Sequence, residues 1–203
     1  TVDDVLSERI NVKDYGAVGD GVADDTAALQ AAIDYVRSSR VVQLFIPAGT
    51  YNIEGTIDLG SNVEIIGQGT HRPTGLLFGT MIRKVGDGHL FQANNAYNIK
   101  FKSLSVEGDP SATTGDAFHF NLARYQIDFT DVTVYSFPGS GLYAKDLYKA
   151  NFTNFVVQYC KGWGIILDGY ANNVHFLGGE ISNCGTYPVA GGVQIRSTSD
   201  ENQ

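Results

Sequence analysis

Short runs in which every second residue is apolar recur along this chain, and they recur on a fixed beat. Phe129, Phe152 and Phe176 stand 23 and 24 residues apart, and Val134, Val157 and Ile181 repeat at the same offsets. Gly139 and Gly162, like Gly141 and Gly164, are 23 apart, and Leu142 is answered by Ile165. Weaker copies begin at Asn98-Ile-Lys-Phe101 and at Asn62-Val-Glu-Ile65. Alternation such as Ile127 in, Asp128 out, Phe129 in belongs to strands, whose successive side chains point to opposite faces. A fixed period of two dozen residues predicts a β-solenoid, each coil giving about three strands and burying its apolar side chains on the next. A β-sandwich would also use short strands and glycine turns, but it does not predict one pattern recurring at one offset.

The first forty residues break the beat. Asn11 to Thr26 reads as a short extended run from Val12, then a turn region in which Gly16, Gly19 and Gly21 supply cheap positive φ. Asp24 or Asp25 is then expected to cap a helix over about Asp25–Arg37, with Leu29, Ile33 and Val36 at helical spacing. A strand, Val41–Ile46, follows directly. An amphipathic helix just before the first strand is well placed to cover the unpaired edge of the first coil. No matching cap is visible at the other end, where Val193-Gln-Ile195 leads into polar Ser197–Gln203.

Composition narrows the class. The 203 residues are 43% hydrophobic and 18% charged, which is a globular balance and the size of one domain. Net charge is −8, which argues against nucleic acid, whose binders cluster Lys and Arg against phosphate. No apolar stretch is long enough for membrane insertion, and no basic-then-apolar leader opens the chain. Without an initiator Met it reads as a piece of a longer protein. Residues 1–10 are then a connector from an upstream region, and 11–203 the N-terminal part of a β-helix domain truncated at its C-terminal end.

The run from Asn11 to Ile33, with Leu44-Phe-Ile-Pro-Ala-Gly-Thr-Tyr51 and Ser61-Asn-Val-Glu-Ile-Ile-Gly-Gln-Gly69, resembles the pectate-lyase-like right-handed β-helix superfamily. The form it resembles is that of bacteriophage tailspikes and polysaccharide depolymerases, and Thr1–Ile10 is similar to the connector that precedes this signature in phage tail proteins. The resemblance implies an all-β, single-stranded right-handed parallel β-helix with an N-terminal capping α-helix. It further implies a virion-tail protein, made in the host cytoplasm, that binds and depolymerises a bacterial surface polysaccharide, capsule or lipopolysaccharide, by glycosidic hydrolysis or β-elimination. Relatives of that kind are homotrimers with an upstream virion-anchoring region. Two alternatives stay open: a non-enzymatic glycan-binding or structural tail module, and a cellular polysaccharide lyase or glucanase of the same superfamily.

Aligning the coils places a strand after each glycine pair. Its inward residues read Phe118/Phe120, Leu142/Ala144, Ile165/Leu167 and Val193/Ile195. Its outward positions set Asn121, Lys145, Asp168 and Arg196 in one polar stripe, with Gln92 an earlier member and His119, Tyr143 and Gln194 flanking it. Such a face, together with Trp163 between two glycines, suits a sugar chain, which is held by aromatic stacking and planar hydrogen-bonding groups. The rival reading is an exposed ladder of alternating charge, each pair worth about 0–1 kcal/mol.

For hydrolysis two carboxyl groups must flank the bond, about 5–5.5 Å apart for retention or about 6.5–9.5 Å for inversion. Elimination needs a base for the proton beside a uronate carboxylate. Thr113-Thr-Gly-Asp116 resembles the Thr-Gly-Asp-Asp element of polygalacturonase-type hydrolases, departing from it at Ala117. Glu107 and Asp109 lie just upstream, within reach of Asp116 across the loop mouth, or else form a solvated acidic turn. His71, His89, His119 and His175 show no metal-ligand spacing, and neither a metal nor another cofactor is expected. Gly16-Ala-Val-Gly-Asp-Gly21 is not a nucleotide loop: its spacing is wrong, and its aspartates would repel phosphate. Cys160 and Cys184 occupy equivalent places in successive coils and are expected as free thiols.

Overall fold

The computed structural model describes residues 9–39, 43–70, 79–185 and 191–196. His71, most of the connector and the Ser197–Gln203 tail lie outside these residues. The chain winds as a parallel β-solenoid of about 7 turns, with one helix near its start.

Three parallel sheets run up the solenoid. The first stacks β1 (Arg9–Asn11), β3 (Gln43–Ile46), β6 (Val63–Gly67), β9 (Ile99–Glu107), β11 (Arg124–Tyr135), β12 (Leu142–Gln158) and β13 (Ile165–Ser182). The second stacks β2 (Asp20–Asp24), β4 (Gly49–Ile53) and β7 (Thr80–Lys84), then continues through the later halves of β9, β11, β12 and β13. The third is built from β5 (Ile57–Asp58), β8 (Phe91–Asn94), β10 (Phe118–Asn121), the opening residues of β12 and β13, and β14 (Val193–Arg196).

The repeat seen in the sequence is the register of the ladder. Phe101, Phe129, Phe152 and Phe176 are direct partners on successive coils, and their rings stack at 5.2, 5.2 and 4.7 Å with tilts of 11–12°. The weaker copy at Asn62 is the coil beneath, with Ile65 under Phe101. Corner residues turn the chain in the left-handed region. Asn62, Asn98, Asn154 and Asn173 have φ of 50–61°, a conformation asparagine tolerates better than most residues.

Near the start, two details differ from the sequence expectation. Val12–Tyr15 is a 3-10 turn rather than extended chain, because Asn11 Oδ1 accepts the Lys13 N–H and Gly16 closes the turn at φ 96°. The helix α1 (Thr26–Ser38) starts after Asp25, but the Asp25 carboxylate does not cap it. It is buried and accepts the N–H groups of Val18 (2.6 Å) and Gly19 (3.1 Å), tying down the glycine turn. Asp24 supplies the local bond instead, accepting from Thr26 N at 3.0 Å. Leu29, Ala32, Ile33 and Val36 are buried on the core as the amphipathic pattern requires. Among the described residues no helix is long and apolar enough to cross a membrane.

At the far end Val193 and Ile195 stand in register with inward Ile165 and Leu167, as the alternation predicts. Both are exposed, Ile195 to 69%, because no described coil stacks above β14.

Candidate functional site

The outer face of the third sheet carries three columns of side chains. Pairing of Phe118 with Phe91 and with Leu142 brings His89, Asp116, Ser140 and Trp163 into line just ahead of the strands. The next column reads Gln92, His119, Tyr143, Ile166, Gln194, and the third reads Asn94, Asn121, Lys145, Asp168, Arg196. The stripe Asn121–Lys145–Asp168–Arg196 therefore exists as aligned. Gln92 is not part of it: it lies under His119, and Asn94 holds the place below Asn121.

Asp116 organises the centre. Its Oδ1 accepts the Ser140 N–H at 2.6 Å, and its Oδ2 lies 2.9 Å from His119 Nδ1 and 3.4 Å from His89 Nδ1. Gly139 makes room for this, since a Cβ there would strike the Asp116 carboxylate. The Asp116 N–H donates to His89 Nδ1 at 3.0 Å, so that nitrogen is the acceptor and the proton of neutral His89 sits on Nε2. Burial, and next the neighbouring His119, push the His89 pKa down, against a smaller opposing pull from Asp116. An ionised Asp116 carboxylate can only accept, so in this contact His119 Nδ1 carries a proton.

His119 is sandwiched. Its ring stacks on His89 at 3.9 Å and on Tyr143 at 4.7 Å. The Tyr143 hydroxyl donates to Asp168 Oδ2 at 2.9 Å, and burial together with that bond raises the phenol pKa. The structure thus brings together four residues read from the sequence (Asp116, His119, Tyr143, Asp168) and adds His89. Each of His89, Asp116 and His119 has one ligand atom within 4.8 Å of the others. A small cation held there would compete with the hydrogen bonds just described.

The remaining sequence candidates are placed as follows. Lys145 is exposed beside Asp168, and Arg196 Nε donates to Gln194 Oε1 at 2.8 Å. Asn121 is half-buried between Asn94 and Lys145, and half-buried Trp163 packs against Gly191. Glu107 is ion-paired with Arg83 at 2.8 Å. Asp109 binds the Ser111 hydroxyl and the N–H groups of Gly86 and Ser111, which hold its carboxyl down at about 2. Neither carboxylate bonds to Asp116 among the described residues. His89 was missed because its coil repeats weakly. A signal was present, since His89 and Asp116 each stand two residues before a buried phenylalanine of the same column.

Residues 9–186 match the family described as rhamnogalacturonase A/epimerase, pectate lyase-like. The chain belongs to that family. Among curated relatives it is 47% identical over 121 residues to mannuronan C5-epimerase AlgE2 of Azotobacter vinelandii. That alignment covers 52% of this chain and 11% of the relative, so the chain spans only a small part of the relative's length. The solved AlgE6 A-module from the same organism superposes with a TM-score of 0.68 at 21% identity, covering 86% of this chain and 56% of the module. The tailspike protein of Acinetobacter phage vB_ApiP_P1 gives 0.51 at 14% identity, covering 96% and 46%. At these identities the solved structures establish the fold: a pectate-lyase-like right-handed β-helix.

Proposed function

We propose that this β-helix acts on an acidic, uronate-containing bacterial polysaccharide, and that its chemistry is removal of the proton beside the uronate carboxylate. The observation that carries the reading is the Asp116–His119 pair, 2.9 Å apart, with the imidazole clamped between His89 and Tyr143. His119 Nε2 is the base. Asp116 fixes its tautomer and steadies the imidazolium that forms. The His89 Nε2–H and the cations of Lys145 and Arg196 offset charge gathering on the sugar carboxylate. Tyr143, kept protonated, gives its phenolic proton to the leaving glycosidic oxygen as the C5–H electrons form the C4–C5 double bond. If the C4–O bond stays intact and a proton returns from the opposite face, the same base serves an epimerisation. The curated mannuronan epimerase relatives support a uronate substrate. Hydrolysis is less well served, because Asp116 and Asp168 are both engaged by fixed donors.

The setting belongs to the proposal too. Similarity of residues 1–10 to a tail connector favours a virion-tail protein, homotrimeric behind an upstream anchoring region, acting on capsule or lipopolysaccharide. A glycan-binding module without turnover is the second reading, favoured by the exposed charged stripe.

Incubation with polymannuronate, polygalacturonate and uronate-bearing capsules in heavy water separates these readings. An unsaturated-uronate chromophore with new reducing ends and no deuterium at C5 means elimination, and deuterium at C5 of intact chains means epimerisation. Reducing ends without either would sink proton abstraction, and binding without turnover leaves the module. His119→Gln and Asp116→Asn are each expected to slow turnover by about 10²–10⁴-fold.

A further inference from the structure

Beyond the third column, each coil turns a corner before entering the first sheet, and there it presents a tyrosine. Tyr97 follows Asn94, Tyr125 follows Asn121, and Tyr148 follows Lys145. The Asn98 N–H donates to the Tyr125 carbonyl at 2.9 Å, which sets Tyr97 beside Tyr125 on neighbouring coils. Tyr125 and Tyr148 rings stack at 6.3 Å with a 26° tilt. Tyr97 is 50% exposed and Tyr125 66%. Tyr35, Tyr159, Tyr170 and Phe176 are exposed as well, but Tyr97, Tyr125 and Tyr148 stand in one row on successive coils.

The backbone adds a second observation. Left-handed corners next to the first sheet use asparagine at Asn62, Asn98 and Asn173, while Gln126 (φ 64°) and Lys149 (φ 56°) take that place on the two coils between, and Tyr125, just ahead of Gln126, is left-handed too at φ 59°. A bulky residue there costs more than asparagine would, so the position favours the tyrosine side chain over the easier backbone. The third observation is charge. Arg124 is the direct partner of Tyr148, and Lys149 follows it. Both cations are exposed, and neither has an acidic partner among the described residues of a chain whose net charge is −8.

We propose that Tyr97, Tyr125 and Tyr148, with Arg124 and Lys149, form a secondary binding strip for an acidic glycan, parallel to the candidate site and one corner away from it. The strip rests on the substrate class proposed above but not on its chemistry. Coils rise about 4.8 Å each, close to the length of one sugar unit, so a chain running along the solenoid axis meets one tyrosine per residue. The apolar sugar faces pack on the rings, and carboxylates meet Arg124 and Lys149. The strip would hold polymer flanking the reacting unit, so it favours long chains over short ones.

Equilibrium binding of the 203-residue chain to polymannuronate, polygalacturonate and uronate capsules, with neutral dextran as control, tests this without requiring turnover. Tyr125→Asn suits the left-handed backbone, and it should weaken binding of the best acidic polymer about tenfold. Arg124→Gln should weaken it less and flatten its salt dependence, while dextran stays unbound. Affinity unchanged in both variants overturns the strip, even if the chain turns over polymer. So does failure of every acidic polymer to bind. A changed sedimentation coefficient for Tyr125→Asn would assign these tyrosines to a contact between copies of the chain instead. Binding that is lost with Tyr125 while no variant or wild type turns over polymer keeps the strip and removes the chemistry.

Discussion

The two ends of the solenoid are made from the same repeat and meet opposite fates. At the start, α1 lays Leu29, Ala32, Ile33 and Val36 over the first coils, and the apolar residues beneath are buried. At the far end, among the described residues, those beyond Asp168 in β13 pair only with β12, and Phe176 is 44% exposed although it continues the column of Phe129 and Phe152. Identical side chains in identical register thus contribute unequally, because a coil is stabilised by what lies on both of its sides. Stability in such a stack is a sum of neighbour terms rather than a property of the rung.

The sharpest break in this comparison comes from one residue type at two heights. Phe129→Ala removes a fully buried ring stacked on Phe101 and Phe152, and should cost about 3–5 kcal/mol in denaturant unfolding. Phe176→Ala removes a ring stacked on one side only and should cost about half of that or less. Equal losses would show that the far end is as well packed as the middle. Next in size, Ile33→Ala in α1 should cost about 2–4 kcal/mol, since the residue is fully buried in the core. Because the helix covers the first coils, a dye that binds exposed apolar surface should respond to this variant more than to Phe176→Ala. A loss below about 1 kcal/mol would mean that the helix is an appendage rather than a cap.

What the sequence disclosed follows the same contrast. The column of phenylalanines, the glycine pairs and the stripe from Asn121 to Arg196 were legible, because in the later coils one pattern recurs at nearly constant spacing. Gln92 was set one column off and His89 went unassigned, because the loops between the early coils vary in length and blur the offset. Asp25 read as a cap because local patterns register partners a few residues away; its true partners, Val18 and Gly19, lie on the preceding loop. The exposure of Val193 and Ile195 was hidden, since alternation states which way a side chain faces and not whether anything covers it. The site itself was half legible. Asp116, His119, Tyr143 and Asp168 could be named, but their mutual bonds depend on register between strands about two dozen residues apart.

The smallest effect concerns protonation inside the well-covered part of the stack. His89 is half-buried between the Asp116 backbone and the His119 ring, and burial and then His119 hold its pKa below the ordinary 6.5. The sign follows from linkage. Below about 6.5 the unfolded chain takes up a proton that the folded site refuses, so stability present above that pH is lost as the pH falls toward the depressed folded value. Protonation would also turn the Nδ1 acceptor into a donor facing the Asp116 N–H, breaking the contact that aligns the carboxylate with His119. His89→Gln has no proton to refuse, and an amide oxygen can still accept. Its unfolding free energy should therefore decline less steeply than that of the wild type as the pH is lowered from 7 toward 5. Parallel curves for the two proteins would place His89 in water and detach it from the dyad.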